Sequence, residues 1–190
     1  MARAATKTKV AAAERREKRA GLSLAAENVR VTPAPPATRL SLRAPELSVN
    51  SVSRALGVTL PQAPKTSAKA KSGNRTALWL GPDEWLVIDE DGADILADAA
   101  KAKALHSAVE VSHRNVAILV EGAGAAACLN AGCPQDLSLT AFPVGACSRT
   151  VLGKIEIVLQ RTSETAFRVE VWRSFSEYAW DFLSEAARDA

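Results

Sequence analysis

The sequence predicts an α+β fold made of two related strand–helix–strand–strand–helix halves. Three observations predict it. Hydrophobic residues make up 47% and charged residues 24% of the 190-residue chain, a balance that supports a packed core and excludes a wholly disordered chain. Two apolar runs, 77–80 and 85–88, flank Gly-Pro-Asp-Glu, a strong hairpin signal. The same order of elements then recurs, with Leu40 and Leu119, and Leu80 and Leu159, each 79 residues apart.

Thr38–Arg43 alternates apolar and polar residues like a half-buried strand. Residues 45–56 read as a helix, with Pro45 tolerated in its first turn. The hairpin follows, then a helix over 91–104 with Ile95, Leu96, Ala99 and Leu105 on roughly one face. A strand over 108–113 leads into a strand over 115–120 and a short helix over 123–130. An irregular loop rich in Pro, Asp and Ser spans 132–145, before strands at about 148–161 and at Ala166–Trp172. A helix over 174–188 closes the domain.

Charge divides the chain unevenly. Residues 1–75 hold fifteen Lys/Arg against four Asp/Glu, a net +11, and residues 76–190 carry −8. Six of the nine prolines precede residue 65, and all four tryptophans follow residue 76. Residues 1–37 are expected to be a basic, Pro-rich arm and 38–190 the folded domain. Within that domain, 62–74 is expected to be an exposed, Lys-rich loop. Residues 1–20 hold seven Lys/Arg and no large apolar side chain beyond Met1 and Val10, too little surface to offset their ordering entropy alone. The N-terminus lacks the apolar segment of a signal peptide, and the longest strictly apolar run, 116–120, is far short of a membrane span. Three cysteines cannot all pair within one chain. A cytoplasmic location without membrane attachment is expected.

No catalytic constellation stands out. His106 and His113 are the only histidines, with no Ser-x-Gly elbow or HExxH nearby, and read as surface or satisfied core groups. Cys128, Cys133 and Cys147 lack the paired spacing of a zinc site; Cys128 reads as a small hydrophobe on an Ala-rich helix face. Gly122, Gly124 and Ala127 match G-x-G-x-x-A after a strand. The acidic residue expected about 20 positions on is missing, so a tight strand-to-helix turn is the better reading. The acids of 89–94 read as helix caps and dipole partners. No catalytic, cofactor-binding or metal-binding residue is therefore expected.

Aromatic placement says more. On the last helix Phe175, Tyr178, Phe182 and Ala186 share a face expected to pack on the sheet, while Trp180 projects about 140° away from Phe175. In the preceding strand Phe167, Val169 and Val171 alternate with Arg168, Glu170 and Trp172, placing Trp172 on the polar side. Indoles on polar faces are candidate interface anchors. Trp172 and Trp180 are thus the expected partner-contact residues, unless the basic tail or the 62–74 loop folds over them.

Several stretches together resemble the gamma subunit of heterotetrameric sarcosine oxidase: the Leu80-Gly-Pro-Asp-Glu-Trp85 hairpin, Asp136-Leu137, the 142–145 turn with Arg149-Thr150, and Arg173-Ser174-Phe175. The resemblance covers roughly 38–188. It implies a fold similar to the folate-binding aminomethyltransferase domain, and assembly with alpha, beta and delta subunits into an oxidase that demethylates sarcosine. The implied products are glycine, hydrogen peroxide and, with tetrahydrofolate, methylenetetrahydrofolate. It also implies that FAD, FMN, NAD and the folate site belong to the alpha and beta subunits and zinc to delta, leaving this chain a structural role. Two other classes compete with it. One is a free-standing folate-binding or one-carbon transfer protein; the other is a nucleic-acid-binding module using the basic arm.

Overall fold

A computed structural model describes residues 21–190; the basic tail expected over 1–20 lies outside the described residues. The first half supplies strands β3 (Thr38–Arg43), β4 (Ser67–Lys69), β5 (Arg75–Gly81), β6 (Glu84–Asp89) and β7 (Ser107–Glu110), with helices α1 (Glu46–Leu56) and α2 (Ile95–Ala100). The second supplies β8 (Asn115–Glu121), β9 (Cys147–Leu152), β10 (Ile155–Ser163) and β11 (Ala166–Trp172), with α3 (Ala125–Asn130) and α4 (Ser176–Ala186). Ahead of both lie β1 (Leu24–Ala25) and β2 (Arg30–Pro33).

Every strand pairing is antiparallel. One sheet runs β7-β3-β6-β5-β4, the other β1-β2-β8-β11-β10-β9, so the two halves repeat one strand order. The 79-residue spacing does not hold strand by strand. Leu40 and Leu159 are fully buried, whereas their counterparts Leu119 and Leu80 are half-exposed. A strand shifted by one residue turns its side chains to the other face, so equal spacing does not preserve equal environment.

Each sheet carries its helices on one face. In the first half Val49, Val52 and Leu56 of α1 and Ile95 and Ala99 of α2 bury against Leu40, Leu42, Ala77, Trp85 and Val87. In the second, Cys128 and Leu129 of α3 and Ala179, Trp180 and Leu183 of α4 bury against Val120, Leu159, Phe167 and Val169. Each such Val or Leu contributes roughly 1.5–3 kcal/mol by leaving water. The other faces of the sheets meet each other across Ala37, Leu78, Leu86, Ile88, Cys147 and Val158.

Four expectations need correction. The arm does not end at residue 37: Val31 pairs with Val120, and Val29, Val31, Ala34 and Ala37 are buried. Residues 30–33 are a sheet strand because Val31 meets β8, and Ala34 and Ala37 beyond it are buried; the prolines only end the strand. Within the 62–74 loop, β4 pairs with β5. The single strand expected over 148–161 is a hairpin, broken at Gly153, whose φ of 59° lies in the left-handed region. The helix over 91–104 shrinks to Ile95–Ala100, capped by Asp94 onto the Ala97 amide at 2.9 Å, and Leu96 and Leu105 are exposed.

Candidate functional site

The layer between the sheets carries a buried polar cluster beside its apolar residues. Glu170 of β11, 1% exposed, accepts from Arg39 Nε at 2.6 Å and from Arg168 Nε at 2.8 Å. Arg168 also reaches Glu90 at 2.5 Å. Burial opposes the charge of Arg168, but Glu170 and Glu90 more than offset it and raise its pKa above the ordinary value. Arg39 comes from the first half and Glu170 from the second, so this cluster ties the halves together. At one edge of the layer the halves also share backbone bonds, Ser67 N to Gly145 O and Cys147 N to Lys65 O, both 3.0 Å.

One end of this layer opens as a cleft lined by Ser41, Glu84, Arg114, Arg149, Glu170 and Trp172, among others. Its volume is about 40 Å³. A small-molecule site needs roughly 300–1,000 Å³, so the cleft accommodates water and not a cofactor. Glu84 joins the halves here, pairing with Arg149 at 2.5 Å and with Arg43 at 3.0 Å. The hydrogen bond that Arg149 donates to Glu84 raises the Arg149 pKa.

The two predicted interface residues separate. Trp172, at the end of β11, is 40% exposed and stacks on Phe175 with centroids 5.9 Å apart. The Arg114 guanidinium lies 5.1 Å from the same indole centroid. Trp180 is 8% exposed and belongs to the core under α4. The expected face of the last helix is therefore turned: Ser176, Ala179, Trp180, Leu183 and Ala187 are buried, while Phe175 and Tyr178 are exposed. Both stripes have helical spacing, and they differ by about one 100° step. Trp180 wins because its stripe aligns with small residues that let the helix sit close to the sheet. Tyr178 stacks on Phe182 at 6.1 Å and packs over the Gly153 turn, where its hydroxyl accepts the Lys154 amide at 3.3 Å.

His113 is exposed in the turn between β7 and β8, and its carbonyl accepts from Arg173 Nε at 2.9 Å. His106 Nδ1 lies 2.8 Å from the Ala104 carbonyl. All three cysteines are free and buried. Burial pushes the Cys128 thiol up to about 11 and the Cys147 thiol up to about 12, which suppresses the reactive thiolate. No group of three metal-ligating side chains occurs among the described residues.

The glycines of the G-x-G-x-x-A stretch have a local explanation. A Cβ on Gly122, whose φ is 121°, would stand 2.1 Å from the Asn28 carbonyl oxygen, and one on Gly124 would stand 2.9 Å from Val29 and from Ala190. Chain segments, not a pyrophosphate, approach there. The amides of Gly122 and Gly124 donate to Thr165 and Asn28 carbonyls.

Fold and site together define an aminomethyltransferase-like α+β domain whose interior is filled by its own side chains. The aminomethyltransferase T of the glycine cleavage system from Bartonella henselae shares the fold, with a TM-score of 0.63 at 12% identity over 86% of this chain and 50% of that one. The sequence profile of the sarcosine oxidase, gamma subunit family matches residues 43–189. The chain belongs to that family. Sarcosine oxidase subunit gamma of Corynebacterium sp. (strain P-1) is 32% identical over 138 residues, covering 72% of this chain and 68% of that protein. A chain of the heterotetrameric sarcosine oxidase from Corynebacterium sp. U-96, solved in complex with pyrrole 2-carboxylate, matches with a TM-score of 0.81 and 31% identity over 88% of both chains.

The stretches that carried the resemblance have physical roles. Trp85 is fully buried and its Nε1 donates to the Pro61 carbonyl at 2.7 Å. Leu137 and Phe142 are buried, and the Leu137 carbonyl accepts from buried Arg161. The Arg173 amide donates to the Arg114 carbonyl at 2.6 Å, fixing the β7–β8 turn against the start of the last helix. Sequence reasoning missed Arg114, which only the cation–π contact marks; β-strand alternation carries no signal for a turn residue.

Proposed function

We propose that this chain is the gamma subunit of a heterotetrameric sarcosine oxidase and acts within it as a structural, non-catalytic partner of alpha, beta and delta subunits. The assembly oxidatively demethylates sarcosine to glycine and hydrogen peroxide and, with tetrahydrofolate, forms methylenetetrahydrofolate. FAD, FMN, NAD, the folate site and zinc belong to the companion subunits, and the assembly works in the cytoplasm. The observation that carries this reading is the 88% coverage, at 31% identity, of a chain from such a heterotetramer. Two further features support it. The cleft between the sheets has room for water alone, and the exposed aromatic pair Trp172–Phe175 has the composition of an interface anchor. No helix among the described residues is long and apolar enough to cross a membrane.

The test is purification of the chain from its natural host by a C-terminal tag, with native mass and visible absorbance recorded together. A mass several times 20.1 kDa with a yellow flavin spectrum is expected. A colourless 20.1 kDa monomer, from cells that also express the companion subunits, would contradict the reading. Heat stabilisation of that monomer by folate would then favour a free-standing folate-binding protein.

A further inference from the structure

Among the described residues, Arg114 is held in place without an acidic partner. Its amide donates to the Val111 carbonyl at 3.0 Å, and its own carbonyl accepts the Arg173 amide. Its Nε donates to Asn115 Oδ1 at 3.1 Å, from an asparagine that is 5% exposed, and its plane rests by the Trp172 ring. A guanidinium has five N–H donors. Nε uses one; the four on Nη1 and Nη2 have no partner among the described residues.

The carboxylates that line the same cleft are already matched. Glu84 pairs with Arg149 and Arg43, Glu156 lies 3.9 Å from Arg149, and Glu170 joins Arg39 and Arg168. Arg149 is thus paired and Arg114 is not. With Nε anchored, the free Nη1/Nη2 end has the geometry of an end-on, bidentate carboxylate receptor. Fixing an arginine normally costs rotamer entropy, and the Asn115 and Trp172 contacts offset part of that cost before a partner arrives.

Resting on the reading of this chain as an oxidase subunit, we propose that Arg114 receives an aspartate or glutamate side chain of a companion subunit, and that an apolar residue beside that acid packs on the Trp172–Phe175 pair. Charge complementarity chooses an acidic segment. Self-association through a symmetric contact is disfavoured, because Glu84 and Glu170 beside this patch are engaged within the chain. A small anion is disfavoured too, because the receptor sits beside an open aromatic pair that only a protein surface would cover. The Arg173-Ser174-Phe175 stretch supplies both the amide that fixes the Arg114 carbonyl and the ring that stacks on Trp172.

The experiment measures binding of the full chain to its co-expressed companion subunits at low and high salt, for wild type, Arg114→Ala, Arg114→Lys and Trp172→Ala. Leu47→Ala, at a residue 98% exposed on α1, serves as the control. Arg114→Ala is expected to weaken binding roughly 10- to 30-fold at low salt, with a smaller loss at high salt. Arg114→Lys keeps the charge but not the fork and should still lose several-fold, which separates recognition from any effect on folding. Trp172→Ala should weaken binding by a similar factor, Leu47→Ala should not, and the free Arg114→Ala chain should melt with wild type. Wild-type binding with no loss in Arg114→Ala or Arg114→Lys overturns the proposal and leaves the subunit reading intact. Absence of wild-type binding overturns both. A wild-type dimer of this chain that Arg114→Ala dissociates would assign the patch to a second copy and overturn the proposal.

Discussion

The helix-covered faces of the two sheets and the seam between those sheets are built on different chemistry. Each helix-covered face is closed by aliphatic and aromatic side chains, drawn in the first half from residues 40–99 and in the second from 116–187 together with Val29 and Val31. The seam has a smaller apolar cluster and, beside it, buried Arg39, Arg168 and Glu170 drawn from both halves. The difference teaches a division of labour. Apolar burial is non-directional and makes each half collapse, whereas an ion cluster is directional and sets how the halves register.

The seam should show the largest single-site effect. Glu170→Leu leaves buried Arg39 without its carboxylate and Arg168 with Glu90 alone, and removal of one member of a buried pair costs about 3–5 kcal/mol. Thermal unfolding should drop by about 10 °C. If the cluster serves registration more than net stability, the triple variant Arg39→Met, Arg168→Met, Glu170→Leu should recover much of that loss. A triple variant less stable than Glu170→Leu alone would break the distinction between seam and core.

Next in size is a contrast between two indoles. Trp180→Ala opens a cavity under α4 and should cost about 3 kcal/mol in the free chain. Trp172→Ala removes a half-exposed ring and should stay within about 1 kcal/mol by the same melting assay. Equal losses would mean that both tryptophans are core residues.

The last effect appears only at alkaline pH and grows as the pH rises. Burial holds the Cys128 and Cys147 thiols at about 11 and about 12, against 9.0 for an unfolded cysteine. Unfolded chains then release these protons first, so stability falls as pH rises above about 9. Replacing both cysteines by alanine should flatten that slope in urea titrations at pH 8 to 10.5. An unchanged slope would mean the thiols are not the titrating groups.

Much of the fold was legible because alternation is a local signal. Thr38–Arg43 and Ala166–Trp172 emerged with their observed bounds, since each alternates apolar with polar residues and ends at a change of pattern. The hairpin around Pro82 and Asp83 followed from turn chemistry. The face of α4 was not legible: stripes through Phe175 and through Trp180 both have helical spacing, and only the sheet's shape chooses between them. The membership of 30–33 in a sheet was hidden too, because a partner strand some 90 residues away decides it. At the candidate site Trp172 was readable from strand parity. Arg114 was not, for its significance lies in what surrounds it in space.

The most direct test is amide hydrogen exchange on the chain free and in the assembled oxidase. The expected result is added protection over the Val111–Arg114 turn and from Trp172 through Tyr178, with the interior strands β8 and β10 unchanged. Assembly that protects other surfaces and leaves these two segments exchanging as in the free chain would contradict the account.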